Sequence, residues 1–341
     1  MVYALKEINL GIIGLGFQGK IHLLNSLRLK GVNVVGVADS SDKALSYAKK
    51  KGIKNVYKNY EDLLKNDKLE AVVISLPNFL HLESAVRAAE AGKDIFLEKP
   101  LARNVEEGEE IVSCARRCDV KLMIGYSFRF HPAIREIYNK IKNGFFGEVL
   151  IAEVTNVSGG PFSPRNDKVG PVPVSSWWFD KELVGGGALL DLGVHLIDLL
   201  TWYFGEVEYL KCYIDYTYNL ELEDAAICIL KFRNGPFATV KVGWFSKDHM
   251  QSIQICGTAK THSLELSNVS TLRKVWNDFK MKIGWTNFDP YYLELKHFID
   301  CLRRDEHPVP SGEDGLTSLR IISSCYENAN RKFTKTHVKG A

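Results

Sequence analysis

At 341 residues the chain is long enough for two ordinary cores, since about 150 residues make a domain and roughly three quarters of the unfolded surface can be buried at this size. With 45% hydrophobic and 25% charged residues it has a globular composition, neither disordered nor membrane-embedded. Its 44 basic and 41 acidic side chains nearly balance, which speaks against a nucleic-acid partner.

Over the first third, short β-branched runs alternate with segments of helical apolar spacing, the pattern of a parallel sheet built from βαβ units. Strands are predicted at 8–13, 32–38, 71–76, 94–97 and 121–124, and helices at 20–29, 43–51, 60–64, 80–91 and 105–118. A doubly wound sheet follows, with its ligand crevice at the carboxyl ends of the strands. Lys49, Lys50 and Lys51 end a helix there, where cations suit the helix dipole.

After Gly125 the pattern changes, so the chain divides into 1–124 and 125–341. The second part is predicted to carry a helix at 133–142, a strand at 149–157, a loop rich in Gly, Pro and Ser at 158–176 and a long helix at 188–202. Strands near 207–218, 223–232, 237–244 and 251–256 follow, two of them joined by Arg233-Asn234-Gly235, and then helices at 290–304 and 312–330. This is an α+β domain with a mainly antiparallel open sheet.

Cysteines at 114, 118, 212, 228, 256, 301 and 325 form no CxxC pair, and an odd, scattered set fits reduced thiols and a cytoplasmic location. The N-terminus does not read as a signal peptide, and no apolar run approaches membrane-spanning length. No membrane partner is expected.

Two features carry chemistry. Gly14-Leu15-Gly16-Phe17-Gln18-Gly19 is a GxGxxG turn between a strand and a helix. Gly14 permits the turn, Gly16 lets the backbone approach a pyrophosphate, Gly19 lets helix and strand pack closely, and the helix N-terminus attracts the phosphate charge. Asp39, 20 residues beyond Gly19 at the end of the second strand, can accept hydrogen bonds from the adenosine ribose and would repel a 2′-phosphate. NAD is therefore favoured over NADP, although Lys43 lies near; Asp39 could also cap the following helix.

The second feature is Asp191 with His195, four apart on a predicted helix and hence on one face. A carboxylate orienting an imidazole makes an acid/base pair that works near neutral pH. Asp198 shares the face, but the set is read as metal-free, with Asp198 structural.

Several motifs in one order then agree: the glycine turn, Ser75-Leu76-Pro77-Asn78-Phe79-Leu80-His81, Glu98-Lys99-Pro100, Gly125-Tyr126-Ser127-Phe128-Arg129-Phe130-His131-Pro132, and Gly185-Gly186-Gly187 leading into Asp191 and His195. Together with the tail from Tyr291 to Ala329, they make the chain resemble the Gfo/Idh/MocA family, named for glucose-fructose oxidoreductase, inositol dehydrogenase and a rhizopine-catabolism protein. The likeness covers essentially the whole chain, apart from Gly257-Thr258-Ala259-Lys260, which lacks a second glycine, and the Pro-rich loop.

The resemblance implies an N-terminal Rossmann domain and a nicotinamide cofactor held by Gly14, Gly16, Phe17, Gln18, Gly19, Asp39, Ser75, Leu76, Asn78, His81, Glu98, Lys99 and Arg129. It further implies a cis Pro100 and catalysis by Lys99, Asp191 and His195. Lys99 would steady the developing alkoxide of an alcohol oxidation. The glycines at 185–187 would leave room for substrate and cofactor.

Substrate contacts are expected from Lys99, Tyr126, Asn156, Trp178, Asp191 and His195, with Arg165, Trp177 and His249 as further pocket residues. The expected activity is NAD-dependent hydride transfer to or from a secondary alcohol or ketone of a sugar, sugar derivative or cyclic polyol. The alternatives are a non-catalytic NAD(P)-binding sensor and a sugar–sugar oxidoreductase with retained NADP. A homodimer or homotetramer through the C-terminal sheet is expected.

Overall fold

The structure, a computed structural model, describes residues 6–162, 176–246, 248–266 and 289–329. Two six-stranded sheets organise it.

The first sheet comprises β1 (Ile8–Ile13), β2 (Val32–Ala38), β3 (Val56–Tyr57), β4 (Ala71–Ile74), β5 (Asp94–Glu98) and β6 (Leu122–Gly125). Their order is β3-β2-β1-β4-β5-β6, every pair parallel. The order reverses beside β1, so the crevice at this switch point lies over the glycine turn. The residue pair β3 is too short to leave an alternating pattern in sequence, and the prediction lacked it.

Helices α1 (Phe17–Arg28), α2 (Asp42–Lys50), α3 (Tyr60–Leu64), α4 (His81–Glu90) and α5 (Val105–Arg117) connect these strands. Their starts follow capping chemistry: Ser41, Asn59 and Asn104 accept from backbone N–H groups of the first turns of α2, α3 and α5. Ser41, rather than Asp39, thus caps α2.

The second part adds α6 (Pro132–Lys142), β7 (Val149–Val157), α7 (Lys181–Val184), a π turn over Leu189–Gly193 and α8 (Val194–Phe204). Strands β8 (Val207–Asp215), β9 (Ala225–Phe232), β10 (Phe237–Gly243), β11 (Met250–Gly257) and β12 (Thr261–Glu265) follow. The sheet order is β12-β11-β7-β10-β9-β8, with β7 and β10 parallel and every other pair antiparallel. The polar strand β12 was not predicted. It forms because Gly257 N–H donates to Lys260 O at 3.0 Å, closing a hairpin without the second glycine.

Lys181–Phe204 corrects one expectation. Its 24 residues are long and apolar enough to cross a membrane, but 78% of the apolar window is buried inside the protein. Here it is α7, the π turn and α8 in succession, packed inside the second domain.

Two terminal helices, α9 (Pro290–Arg304) and α10 (Gly312–Ala329), tie the parts together. Leu295, Phe298 and Ile299 of α9 pack with Leu10, Leu23 and Phe96 on one face of the first sheet. On the other face a single core continues from Ile74 and Leu97, through Ile124 and Leu319, to Leu189, Leu196 and Val240. The two sheets therefore share a packed interior, which fixes the ends of β5 and β6 against the π turn.

Candidate active site

The glycine turn has room for a ligand. Gly14 has φ +86°, and a side chain there would strike Ser75 O, while one at Gly19 would strike Gly14 O. Gly16 differs: a Cβ would meet nothing within 4 Å, so the protein itself does not require glycine there. Gly16 also starts α1, whose first turn has no capping side chain and no acidic residue. The open space and the helix start without a capping side chain fit a dinucleotide pyrophosphate.

Asp39 sits at the end of β2 and accepts from Leu15 N–H at 2.6 Å and Ser41 N–H at 2.8 Å. It clamps the glycine turn, and each oxygen retains a lone pair for a ribose hydroxyl. Phe17 is exposed, and Gln18 Nε2 approaches Glu98 Oε1 at 3.5 Å.

At the end of β5, the Lys99–Pro100 bond is cis, as the resemblance implied. Lys99 Nζ donates to Asp191 Oδ1 at 2.8 Å and to Asp191 O at 3.1 Å. Trp244 Nε1 donates to Asp191 Oδ2 at 3.3 Å. The Lys99 and Asp191 side chains are 20% and 19% exposed, so the pair can be reached from solvent.

Asp191 thus pairs with Lys99, which corrects its expected partnership with His195. The four-residue argument assumed an α-helix, but Leu189–Gly193 is a π turn. Within that turn the Asp191 carboxylate is engaged by Lys99 and Trp244, and the charge that reaches His195 is that of Lys99.

His195 is held instead by aromatic rings. It stacks on Phe128 with centroids 4.6 Å apart and meets the edge of Tyr126 at 6.2 Å. Its Nδ1 is buried without a hydrogen-bond partner, although the residue keeps some open surface. Burial, and then the Lys99 charge, holds its pKa well below the usual histidine value. The ring is therefore neutral near pH 7 and able to accept a proton.

The glycines at 185–187 have a different purpose from the one expected. A Cβ at Gly185 would strike Arg103, one at Gly186 the Tyr326 hydroxyl, and one at Gly187 the Glu223 backbone. They answer to protein contacts. Buried Glu223 accepts from Gly187 N–H and Leu189 N–H, both at 3.0 Å, and from Tyr326 Oη at 2.8 Å. This carboxylate occupies the helix start, and nothing local in its sequence marked it.

Other expected contacts also move. Arg129, 4% exposed, is bound to Asp198 through Nε at 2.8 Å and Nη2 at 2.6 Å, and to Asp314 at 2.9 Å. It is an internal ion pair joining the end of β6 to α8 and α10, not a free cofactor ligand. His81 Nδ1 and Nε2 face Pro100 O and Leu76 O at 2.8 and 2.9 Å, and burial lowers its pKa. It braces the Lys99–Pro100 turn from behind instead of facing a nucleotide.

Tyr126 is wholly buried and supports His195 instead of lining a sugar pocket. Asn78 Nδ2 donates to Val184 O at 2.9 Å, bridging the two domains. Ser75 and Leu76 lie against Gly14, with the Ser75 hydroxyl buried and without a partner. Glu98 is buried and meets His22 Nε2 at 2.7 Å.

Asn156 is nearly buried, with Oδ1 3.4 Å from His249 Nε2. Trp178 is half-buried and stacks on Trp177, which meets Phe79 edge-on at 6.0 Å. Arg165 and most of the Pro-rich loop lie outside the described residues.

Replacing Lys99 by Met removes one of the two causes that depress His195. The His195 pKa should rise, while burial keeps it below the ordinary value. Histidine NMR titration of both proteins measures this, and identical titrations would show that the lysine charge does not reach the ring.

Comparisons with known proteins agree with this geometry. Residues 8–126 match the oxidoreductase family with an NAD-binding Rossmann fold, and residues 134–262 match the GFO/IDH/MocA C-terminal domain. An uncharacterized oxidoreductase of Rhizobium meliloti, ORF334, is 33% identical over 95% of this chain and 97% of its own length. Myo-inositol 2-dehydrogenase of Thermotoga maritima is 26% identical over 92% and 94%. The WlbA dehydrogenase of Bordetella pertussis, solved with NADH and UDP-GlcNAcA, is similar in fold, with a TM-score of 0.81 at 24% identity over 95% of this chain and 96% of that one. A dinucleotide crevice, a lysine at its edge and matches along both domains lead to one conclusion: the chain is an oxidoreductase of the Gfo/Idh/MocA family.

Proposed function

We propose that this oxidoreductase uses NAD to interconvert a secondary alcohol and a ketone on a sugar, sugar derivative or cyclic polyol. The observation that carries this reading is the meeting of Lys99, fixed by Asp191, with a neutral His195 at the carboxyl edge of the dinucleotide sheet. The named substrates of the inositol dehydrogenase relative and the ligand of the WlbA structure support a polyol or sugar.

When bound, NAD supplies the acceptor for the carbinol hydride. Gly14, Gly16 and the start of α1 would hold its pyrophosphate, and Asp39 its adenosine ribose. His195, as a neutral imidazole, takes the hydroxyl proton. Lys99 Nζ donates to the same oxygen as negative charge develops there. Asp191 keeps the lysine from swinging into solvent, and Phe128 keeps the imidazole in plane.

The exposed face of the second sheet supports self-association. Ile151, Tyr209, Ile227, Ile229 and Phe237 lie exposed on four of its strands, more apolar surface than a lone sheet face ordinarily leaves in water. We infer a homo-oligomer formed through this face.

Three measurements test these readings. In an NADH-absorbance screen over inositols, aldoses and nucleotide sugars, His195→Ala should lose about 10² to 10⁴ in kcat on any substrate the parent oxidises. An unchanged kcat would remove His195 as the base. In cofactor titrations the parent should favour NAD in kcat/KM, because a 2′-phosphate would face Asp39, and an equal or greater value with NADP would reverse that assignment. Sedimentation should find a particle heavier than 38.5 kDa that Ile229→Asp dissociates, whereas a parent monomer would remove the interface.

A further inference from the structure

Behind the exposed face of the second sheet, three thiols converge. Cys212 on β8 and Cys228 on β9 are direct cross-strand partners. Helix α10 lays Cys325 over them, and the three sulfurs lie within 4.8 Å of one another, all buried. The proposed redox chemistry makes no use of them.

Cys212 and Cys228 Sγ atoms are 2.7 Å apart. That is closer than two unbonded sulfurs rest, since even non-bonded carbon atoms prefer about 3.5–4.0 Å. Cys212 N–H donates to Asn328 Oδ1 at 3.1 Å, away from β9, so the two cysteines form a non-hydrogen-bonded pair. Such pairs bring their Cα atoms to about 4.5 Å. A disulfide needs about 4.4–6.8 Å, so the backbone already has the required spacing.

A shared metal ion fits less well. Two thiolates at about 2.3 Å from one tetrahedral ion would stand about 3.8 Å apart, and structural sites of that kind use four ligands. Among the described residues this cluster offers three.

We propose that Cys212 and Cys228 are a thiol pair that closes reversibly into a cross-strand disulfide. With a peroxide as oxidant, two S–H bonds and the peroxide O–O bond break, one S–S bond forms, and the two protons and two electrons leave as part of two water molecules. A dithiol reductant restores both S–H groups. Access comes through β8, an edge strand paired on one side only, whose local opening exposes the sulfurs to a small oxidant. Closure ties that edge to β9 beneath the face proposed for self-association.

Both cysteines lie on one tryptic peptide, between Lys211 and Lys231. The full-length protein is treated with hydrogen peroxide or with dithiothreitol, alkylated in denaturant, digested and analysed by mass spectrometry. After peroxide this peptide should lose both alkylations and about two mass units relative to the unalkylated dithiol, with the other five of the seven cysteines still alkylated; dithiothreitol should restore it. In Cys325→Ser the same closure is expected, and in Cys228→Ser Cys212 should remain alkylated. Full alkylation of the peptide after peroxide would overturn the proposal. So would a link that runs instead to Cys325, or a stoichiometric metal ion in the purified protein that thiol-blocking reagents release.

Discussion

The contact between Lys99 and Asp191 joins residues 92 apart in sequence and is where the two sheets answer to each other. One partner sits at the end of a parallel strand and the other in a π turn of the second domain. Each is held from behind, Lys99 by the turn that His81 braces and Asp191 by Trp244. An ion pair that is partly open to water gains little stability by itself. Its importance is positional: it keeps a flexible lysine chain at one place beside the cofactor crevice, where a loose one would lose its orientation.

That placement depends on a shared interior. One core passes from the first sheet into the second, α9 returns late in the chain to cover the first sheet, and α10 touches both parts. Arg129, with Asp198 and Asp314, adds a buried charge network at the same junction. Breaking such a network by removing one partner costs far more than an exposed pair would, so the junction resists change even where no substrate touches it.

How much of this could be read in the sequence varied with the range of the interaction. The glycine turn and Glu98-Lys99-Pro100 are local devices, each set by a strand end and the residues directly after it, and both stand where expected. The partnership of Asp191 was not legible because spacing within one helix does not say which neighbour a carboxylate takes, and Lys99 reaches it from 92 residues away. Arg129, His81 and Tyr126 were assigned to ligands by residue type and motif, yet burial gave them protein partners instead. Glu223 left no local mark because its role exists only once Gly187, Leu189 and Tyr326 surround it. Gly185 to Gly187 were recognised as special for the wrong reason: the close approach they permit is to the protein itself.

Glu223 has a wider meaning for the electrostatics of the crevice. The protein has two helix starts of note, and it fills one from within while leaving the other, at Gly16, bare. The positive end of the π turn and α8 is already neutralised by a fixed carboxylate, so it offers nothing to a phosphate or a carboxylate that enters with the substrate. Negative charge is directed to the first helix. The two helix starts therefore differ before any ligand arrives: one is neutralised from within the protein, and the other is left positive.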